Sequence, residues 1–339
     1  MADTRKILVT GGSGYIAGFL IRQLIENGWE VHSTIRNLAR EGEVRGWLNV
    51  PADKLQFFAA DLMSDAGWAD AVAGCSHVAH VASPFPLGVP KNADDLVVPA
   101  REGALRALKF AHAAGVERFV LTSSMAAIAY GHGDGGGTYS EKDWSNLDAP
   151  SLMPYPRSKT VAERAARDWA AANAPQMEFA SVNPAAVFGP LISDDLSTSI
   201  EVIRQMLTGK VPMCPDVGFG IIDVRDVADL HFRALTADGV RDERFIACGP
   251  FLKFIDIARI LRDNLGSEAA KVPTRKMPDL LLRAMALVRG ELKQVVNELG
   301  NVRHGDSSHA TKRLGWTMRP PEEAIVASAR DLIARGIVT

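Results

Sequence analysis

The stretch VTGGSGYIAG, Val9 to Gly18, joins a short apolar run to an amphipathic segment. Three of its glycines, Gly11, Gly14 and Gly18, permit a tight turn, close approach of a phosphate to the backbone and close packing of the following helix. The amides and the dipole of that helix N-terminus favour a pyrophosphate. Because the pattern lies at a strand-to-helix junction, it indicates a dinucleotide site rather than a plain glycine turn. The cofactor contacts expected here are Thr10, Gly11, Gly14, Tyr15, Ile16 and Gly18.

Strand-like apolar runs alternate with helical patterns through the first half of the chain. The runs lie at 6–10, 30–35, 55–60, 77–82, 118–124 and 178–183. Strands that are separated by crossover helices and nearly continuous in apolar character indicate a parallel sheet with helices on both faces. We predict an α/β fold with a Rossmann-type, doubly wound parallel sheet and a smaller, mainly helical C-terminal lobe.

The second half of the chain is punctuated by Pro and Gly, with helical patterns near 198–208, 254–265, 278–289 and 322–335. We predict a dinucleotide-binding Rossmann domain over 1–183 with return segments at about 221–249. The substrate lobe would comprise 184–220 and 250–320, followed by a C-terminal helix over 321–339. The glycine cluster GHGDGGG at 131–137 is expected to be a mobile surface loop.

Composition narrows the class of protein. Of 339 residues, 47% are hydrophobic and 23% charged, values typical of a soluble globular chain. A net charge of −2 supplies no field for a polyanion, so no nucleic acid partner is expected. The sequence has no signal-peptide pattern and no apolar window that would span a membrane, so no membrane partner is expected either. The odd, widely spaced cysteines favour a reducing compartment, and we predict a cytoplasmic monomer or homodimer.

The residues after the second strand bear on cofactor choice. A protein that prefers NAD normally carries Asp or Glu there to bind the ribose 2′-hydroxyl, whereas this chain has Arg36. Arg36 could grip a 2′-phosphate, with Arg40 adding a second positive charge, which favours NADP(H). Ordinary solvated loop arginines would give the same pattern. Asp61 and Leu62, after the third strand, could frame the adenine, although an Asp at a strand end is often only a turn residue.

The stretch MPYPRSKTVAE places Tyr155 and Lys159 at i and i+4 near the start of a helix. A neighbouring ammonium is expected to lower the pKa of the phenol, so that it can donate and recover a proton. Because Pro156 disfavours helical geometry at the residue before it, Tyr155 is expected at the helix threshold. The spacing also occurs by chance in helices. A third group, Ser123-Ser124 at the end of the fifth strand, could stabilise a developing oxyanion, although such serines are more often caps.

Seven motifs together resemble the extended short-chain dehydrogenases/reductases. In that family's order, the chain has TGGSGYIAG, ADL at 60–62, HVAHVASP at 77–84, LTSS at 121–124, YPRSK at 155–159, NPAAVFGP at 183–190 and IIDVRDVADLH at 221–231. They are most similar to the branch of dihydroflavonol reductases, cinnamoyl-CoA reductases and microbial aldehyde and ketone reductases. The resemblance implies Ser124 as carbonyl-binding hydroxyl, Tyr155 as proton donor, and Lys159 as tuning charge and ribose ligand. It further implies cofactor contacts near the nicotinamide at Val81, Ala82, Ser83, Pro84, Thr122, Pro184 and Val187.

Two departures from the family bear on the substrate. Ala129 occupies the position where dihydroflavonol reductases usually carry asparagine, and LMPYPRSK replaces the Asn-Trp-Tyr-Cys-Tyr signature of cinnamoyl-CoA reductases. Neither plant substrate is supported. An apolar pocket wall would suit a hydrophobic or aromatic aldehyde or ketone, and the candidates are Phe85, Met125, Phe188, Leu191, Met206 and Phe219. These residues could equally belong to the core, which is the favoured interpretation for Met206.

The sequence thus predicts NADPH-dependent reduction of a carbonyl, with two alternatives open. A nucleotide-sugar epimerase or dehydratase of the same family would use the same Ser, Tyr and Lys, with a tightly held NAD. Dehydratases carry Asp-Glu after the hydroxyl residue, where this chain has Met125-Ala126. The other alternative is a regulatory protein that senses NADPH without turnover. No metal site is predicted, because His77 and His80 would point to opposite faces of a strand.

Overall fold

A computed structural model describes residues 5–84, 92–133 and 135–338. The strands in these ranges are β1 (Lys6–Val9), β2 (Glu30–Ile35), β3 (Leu55–Ala59), β4 (His77–His80), β5 (Arg118–Thr122), β6 (Gly136–Tyr139), β7 (Glu178–Pro184), β8 (Ala186–Phe188), β9 (Gly218–Asp223), β10 (Glu243–Ala247), β11 (Phe251–Lys253) and β12 (Val302–Gly305). The α-helices are α1 (Tyr15–Glu26), α2 (Glu41–Leu48), α3 (Trp68–Val72), α4 (Asp94–Ala113), α5 (Pro154–Asn173), α6 (Thr198–Leu207), α7 (Val224–Thr236), α8 (Phe254–Leu265), α9 (Asp279–Val288), α10 (Lys293–Asn297), α11 (Ser308–Leu314) and α12 (Pro321–Ala334).

Seven strands form one parallel sheet in the order β10-β7-β5-β4-β1-β2-β3. The predicted Rossmann-type, doubly wound sheet is therefore confirmed. The chain leaves β1 towards β2 on one side and reaches β4 on the other, so the strand order reverses at β1. The carboxyl ends of β1 and β4 border the crevice in which sheets of this kind bind ligands.

Strand β1 shows why its sequence is almost wholly apolar. Ile7 and Val9 pack in one core cluster with Leu20 of α1, whereas Leu8 packs in a second cluster with Leu108 of α4. Successive side chains of a strand point to opposite faces, and helices cover both faces of this sheet. Each residue of the strand interior is thus buried, and the glycine turn after the strand is fixed from both sides.

A second, three-stranded sheet, β11-β9-β8, lies beside the main one. Helices α6, α8 and α12 pack in a core cluster with this region through Ile203, Leu261 and Ile325. The predicted return point at residue 221 falls inside β9, and the division of the chain into domains stays a prediction. No helix among the described residues is both long and apolar enough to cross a bilayer.

The glycine cluster at 131–137 differs from the expected mobile loop at its C-terminal end. Gly136 and Gly137 begin β6, which pairs in parallel with β12. Gly136 has a φ of 83°, and a Cβ built there would collide with the carbonyl oxygen of Val302. The local sequence of this cluster does not indicate a partner strand more than 160 residues away, because pairing between distant segments leaves no local pattern.

We expect Gly136→Ala to lower the free energy of unfolding more than Gly133→Ala. Gly133 also has a positive φ, but a Cβ there meets nothing within 4 Å. Gly133→Ala is the control and should lower the free energy of unfolding by about 1–2 kcal/mol, because of the left-handed backbone alone. Gly136→Ala adds a collision that breaks the β6–β12 pair. Urea unfolding of both variants measures the difference, and equal losses would contradict the pairing.

Candidate active site

The glycine loop after β1 forms a cradle with little room for side chains. Gly11 has a φ of 74°, and a Cβ built there would lie 3.0 Å from the Cα of Ala82. The amide of Gly11 donates to Thr34 Oγ1 at 3.0 Å, which anchors the loop on β2. Helix α1 begins at Tyr15, and its N-cap residue Gly14 gives no side-chain cap. The first amides of α1 therefore have no capping side chain, as an anion site at a helix N-terminus requires.

Thr10 joins the glycine loop to the segment after β4. Its hydroxyl oxygen lies 3.0 Å from His80 Nδ1 and accepts from the amides of Val81 and Ala82, each at 3.0 Å. Burial lowers the pKa of His80 to about 3, so the ring is neutral. The Thr10 hydroxyl is thus committed to holding two strand ends together, and it places Ser83 at the same sheet edge.

Of the two arginines predicted for a 2′-phosphate, only Arg36 has no ion pair within the described chain. Arg36 is exposed directly after β2. Arg40 donates to Glu43 at 2.8 Å and to Asp195 at 2.7 Å, and it lies over the ring of Trp47. Two carboxylates therefore already offset the charge of Arg40.

The two residues predicted to frame the adenine have local roles. The Asp61 carboxylate accepts from the amide of Met63 at 2.7 Å, which is the turn geometry that the sequence left open. Leu62 is half-buried and packs against the core cluster of α4, where a Cβ on Gly103 would meet its side chain.

Ser124, Tyr155 and Lys159 come together at the carboxyl edge of β5. Ser124 is joined to Tyr155 by a side-chain hydrogen bond. The ammonium of Lys159 lies 5.9 Å from the centre of the Tyr155 ring and donates to Ser83 Oγ at 3.1 Å. Helix α5 begins at Pro154, so Tyr155 lies inside its first turn rather than at its threshold. The hydrogen bond from Lys159 to Ser83 thus links the predicted catalytic groups to the segment after β4.

Ser124 also serves as the cap that the sequence offered as an alternative. Its Oγ accepts from the amide of Ala126 at 3.0 Å, at the start of a short 3₁₀ turn. It also lies 3.4 Å from the carbonyl oxygen of Pro184. The hydroxyl is therefore held in one place between β5, β7 and α5, beside the Tyr155 phenol.

Burial shifts the two titratable groups of this site in opposite directions. It raises the pKa of the Tyr155 phenol above its usual value, and the hydrogen bond with Ser124 lowers it by a smaller amount. Burial lowers the pKa of Lys159 to about 8, against an opposing contribution from the Glu163 carboxylate. The expectation that Lys159 lowers the pKa of Tyr155 is wrong for this structure, because burial dominates. The phenol consequently stays protonated at neutral pH.

Glu163, which sequence reasoning missed, lies one helical turn beyond Lys159 and is fully buried. Its carboxylate accepts hydrogen bonds from Ser123, Ser181, Asn183, Arg167 and Arg244. The carboxyl has a pKa lowered to about 2, because the two guanidiniums outweigh the effect of burial. The available signal was spacing, since Glu163 shares the buried face of α5 with Ala162, Ala166 and Ala170.

Several predicted wall residues belong to the core instead. Phe188 and Met206 are fully buried in the cluster of the small sheet, and Leu191 is only 7% exposed in the same cluster. Phe219 is half-buried and stacks on Phe188 with ring centres 6.0 Å apart. These contacts favour the core interpretation for Phe188, Leu191 and Met206. Phe85 lies outside the described residues.

The side of the site next to Tyr155 contains the predicted wall residue Met125 and two residues that the sequence did not single out, Tyr130 and Arg303. Met125 belongs to a small buried cluster against which Tyr130 packs. Burial raises the pKa of Tyr130 to about 12, and Tyr155 is among the groups that act on it electrostatically. The guanidinium of Arg303 lies over the Tyr130 ring, 4.1 Å from its centre. Tyr130 is therefore close to the Tyr155 phenol, and Arg303 packs on Tyr130.

Five other predicted cofactor residues make contacts of different kinds. Thr122 is buried, and its hydroxyl lies 2.7 Å from His231 Nε2. Val187 is 9% exposed and packs in the main core, as does the half-buried Ile16. The Tyr15 hydroxyl is buried and has no hydrogen-bond partner among the described residues. A Cβ on Gly18 would crowd Ile192, so this glycine permits close packing of α1.

Comparison with known proteins agrees with the fold and the motif order. The model of the NAD dependent epimerase/dehydratase family matches residues 7–248. A cinnamoyl-CoA reductase of Medicago truncatula is 33% identical over 264 residues, covering 76% of this chain and 80% of the relative. Vestitone reductase of Medicago sativa is 32% identical over 311 residues, covering 87% and 94%.

Solved structures give the same assignment. The yeast methylglyoxal/isovaleraldehyde reductase, solved in complex with NADPH, superposes with a TM-score of 0.81 at 25% identity, covering 98% of this chain and 99% of the neighbour. The family match spans more than half of the chain, and both plant relatives exceed 30% identity. The chain therefore belongs to the NAD dependent epimerase/dehydratase family and is an NAD(P)-dependent oxidoreductase of the extended short-chain dehydrogenase/reductase type.

Proposed function

We propose that this protein uses NADPH to reduce a hydrophobic or aromatic aldehyde or ketone to the alcohol. The observation that carries the proposal is the convergence of Ser124, Tyr155 and Lys159 at the sheet edge that also bears the glycine loop. Its relatives include reductases, and the yeast neighbour is an aldehyde reductase solved with NADPH.

The residues present fit the cofactor. Gly11 and Gly14 leave room for a pyrophosphate at the uncapped start of α1, and Arg36 offers a guanidinium for the 2′-phosphate. Lys159 and Ser83 would bind the ribose on the nicotinamide side. When bound, NADPH supplies the hydride for the carbonyl carbon.

The chain's own groups handle the carbonyl oxygen. Ser124 donates a hydrogen bond to that oxygen and stabilises the negative charge that develops on it. Tyr155, kept protonated by burial, transfers its proton to the same oxygen. The Lys159 ammonium then stabilises the phenolate that remains. Met125 and Tyr130 pack near these groups and would shape an apolar site for the rest of the substrate.

The proposal is tested by following NADPH oxidation with a panel of aromatic and aliphatic aldehydes, ketones and diketones. We expect turnover with apolar carbonyls and little with charged ones. Absence of turnover across the panel, in folded protein that binds NADPH, would instead favour a sensing role. Recovery of the purified protein with tightly bound NAD would favour an epimerase or dehydratase.

Tyr155→Phe should lower kcat by roughly 10²- to 10⁴-fold, because it removes the proton donor. NADPH affinity should change little. Tyr139→Phe is the matched control, since it also removes a phenol hydroxyl, but from a residue that lies on β6 beside His132. Steady-state kinetics and NADPH titration separate the two effects, and equal activity of both variants would contradict the assigned role of Tyr155.

Reduction should weaken as pH rises through about 8, the pKa of Lys159. The protonated form is active, so activity is retained below this pKa and lost above it as the ammonium disappears. The limb should appear in kcat/KM for the carbonyl at saturating NADPH. Lys159→Arg keeps the charge to much higher pH, so its residual activity should lack this limb. If the loss of activity near pH 8 persists in Lys159→Arg, it is due to the titration of another group.

Arg36→Leu should raise the Kd for NADPH roughly ten- to hundredfold, as expected when a charge-assisted hydrogen bond is lost. The Kd for NADH should be unaffected. Arg40→Leu should have a smaller effect, because Glu43 and Asp195 already pair with Arg40. Fluorescence titration with both cofactors measures the four constants. Equal weakening of NADPH and NADH by Arg36→Leu would overturn the 2′-phosphate assignment.

A further inference from the structure

We propose that Glu163 is a positioning residue of this site, supplying the negative charge that stabilises the Lys159 ammonium and fixing the strand ends that carry Ser124. The inference rests on the proposed function for its meaning in catalysis. Its evidence is the arrangement of contacts around one buried carboxylate.

The position of Glu163 on α5 brings it next to the lysine. Tyr155, Lys159 and Glu163 follow one another at intervals of four residues, so they share one face of the helix with about 5–6 Å between successive Cβ atoms. Lys159 and Glu163 both line one small cavity under the sheet edge, together with Ser83 and Ser123. The two residues therefore border the same small cavity.

The carboxylate also holds the two strand ends that frame Ser124. Oε2 of Glu163 accepts from Ser123 Oγ at 2.5 Å, and Ser123 directly precedes Ser124. The same oxygen accepts from Asn183 Nδ2 at 2.8 Å, and this Nδ2 also lies 3.2 Å from the Ser124 carbonyl oxygen. Displacing Glu163 would thus weaken two interactions that hold Ser124, one through Ser123 and one through Asn183.

Two arginines behind Glu163 keep it ionised. Arg244 Nε lies 2.8 Å and Arg167 Nε 3.3 Å from Oε1, and the Arg244 side chain is only 6% exposed. In the described chain, the titratable groups facing Lys159 are Tyr155 and Glu163 on α5 and the neutral His80 on β4. Glu163 is thus the sole anion next to Lys159 within the described residues. Without it, Lys159 would have no neighbouring anion within the described residues and Arg244 would lose its carboxylate partner, whereas Arg167 would keep its ion pair with Asp242.

A purely structural role predicts different behaviour. If Glu163 only neutralised the two arginines, its loss would lower stability and activity at every pH without moving the titration of Lys159. If it stabilises the ammonium, Glu163→Gln should lower the pKa of Lys159 by about one unit or more, the size expected when a neighbouring opposite charge is lost. The test must therefore follow the titration of Lys159 as well as activity.

The primary readout is the ¹³Cε shift of Lys159 against pH in full-length protein labelled at lysine, with the signal assigned from Lys159→Arg. We expect the Lys159 midpoint to fall in Glu163→Gln and to recover partly in Glu163→Gln/Arg244→Gln, which removes one charge of each sign. The alkaline limb of reduction should move in parallel. Glu178→Gln is the control, because Glu178 is paired with Arg118 at the first residues of β7 and β5. This variant should leave the Lys159 midpoint unchanged.

An unchanged Lys159 midpoint in folded Glu163→Gln would overturn the inference. If that variant does not fold, Arg167→Gln decides the question, because removing one guanidinium should raise the Lys159 midpoint, and no rise would overturn the inference. The titration needs no turnover. A shifted midpoint in protein that reduces no carbonyl would therefore refute the proposed function while leaving the Glu163–Lys159 interaction intact.

Discussion

The buried carboxylate of Glu163 ties helix α5 to three neighbouring strands of the main sheet. Its partners come from the ends of β5 and β7 and from Arg244 of β10. A buried charge is costly unless it is paired and fully hydrogen-bonded, and removing one partner of such a network typically costs about 3–5 kcal/mol. Because Tyr155 and Lys159 lie on the same helix, this one contact sets the distance between the phenol, the ammonium and the sheet edge.

Burial then gives the site its chemical character. A low-dielectric environment disfavours whichever form of a group is charged, so it raises the pKa of a phenol and lowers that of an ammonium. Tyr155 therefore remains neutral and Lys159 titrates at a pKa of about 8. In the direction of reduction these are the required states, a phenol that still holds its proton and an ammonium beside it. Oxidation of an alcohol would need the opposite state of Tyr155, which burial disfavours.

Much of this arrangement was predictable because it depends on local patterns. Apolar runs and glycine spacing gave the parallel sheet and the loop at Gly11, and motif order gave the convergence of Ser124, Tyr155 and Lys159. Features that depend on distant contacts were not predictable. Apart from Arg167 on the same helix, the partners of Glu163 lie 18 to 81 residues away along the chain. β6 pairs with a strand near residue 302, and Phe188 proves to be core because residues of α6 cover it. An apolar side chain alone does not distinguish a pocket wall from a core.

If Ser124, Tyr155 and Lys159 act on a carbonyl beside a bound reduced nucleotide, the hydride must come from one face of the nicotinamide. Two preparations of NADPH, each carrying deuterium on one of the two faces of the nicotinamide C4, are incubated separately with the protein and an aromatic aldehyde. NMR of the products then locates the deuterium. We expect deuterium on the carbinol carbon from one face only, and none with Tyr155→Phe beyond its small residual rate. Label that stays on the nucleotide, or that appears equally from both faces, would contradict it.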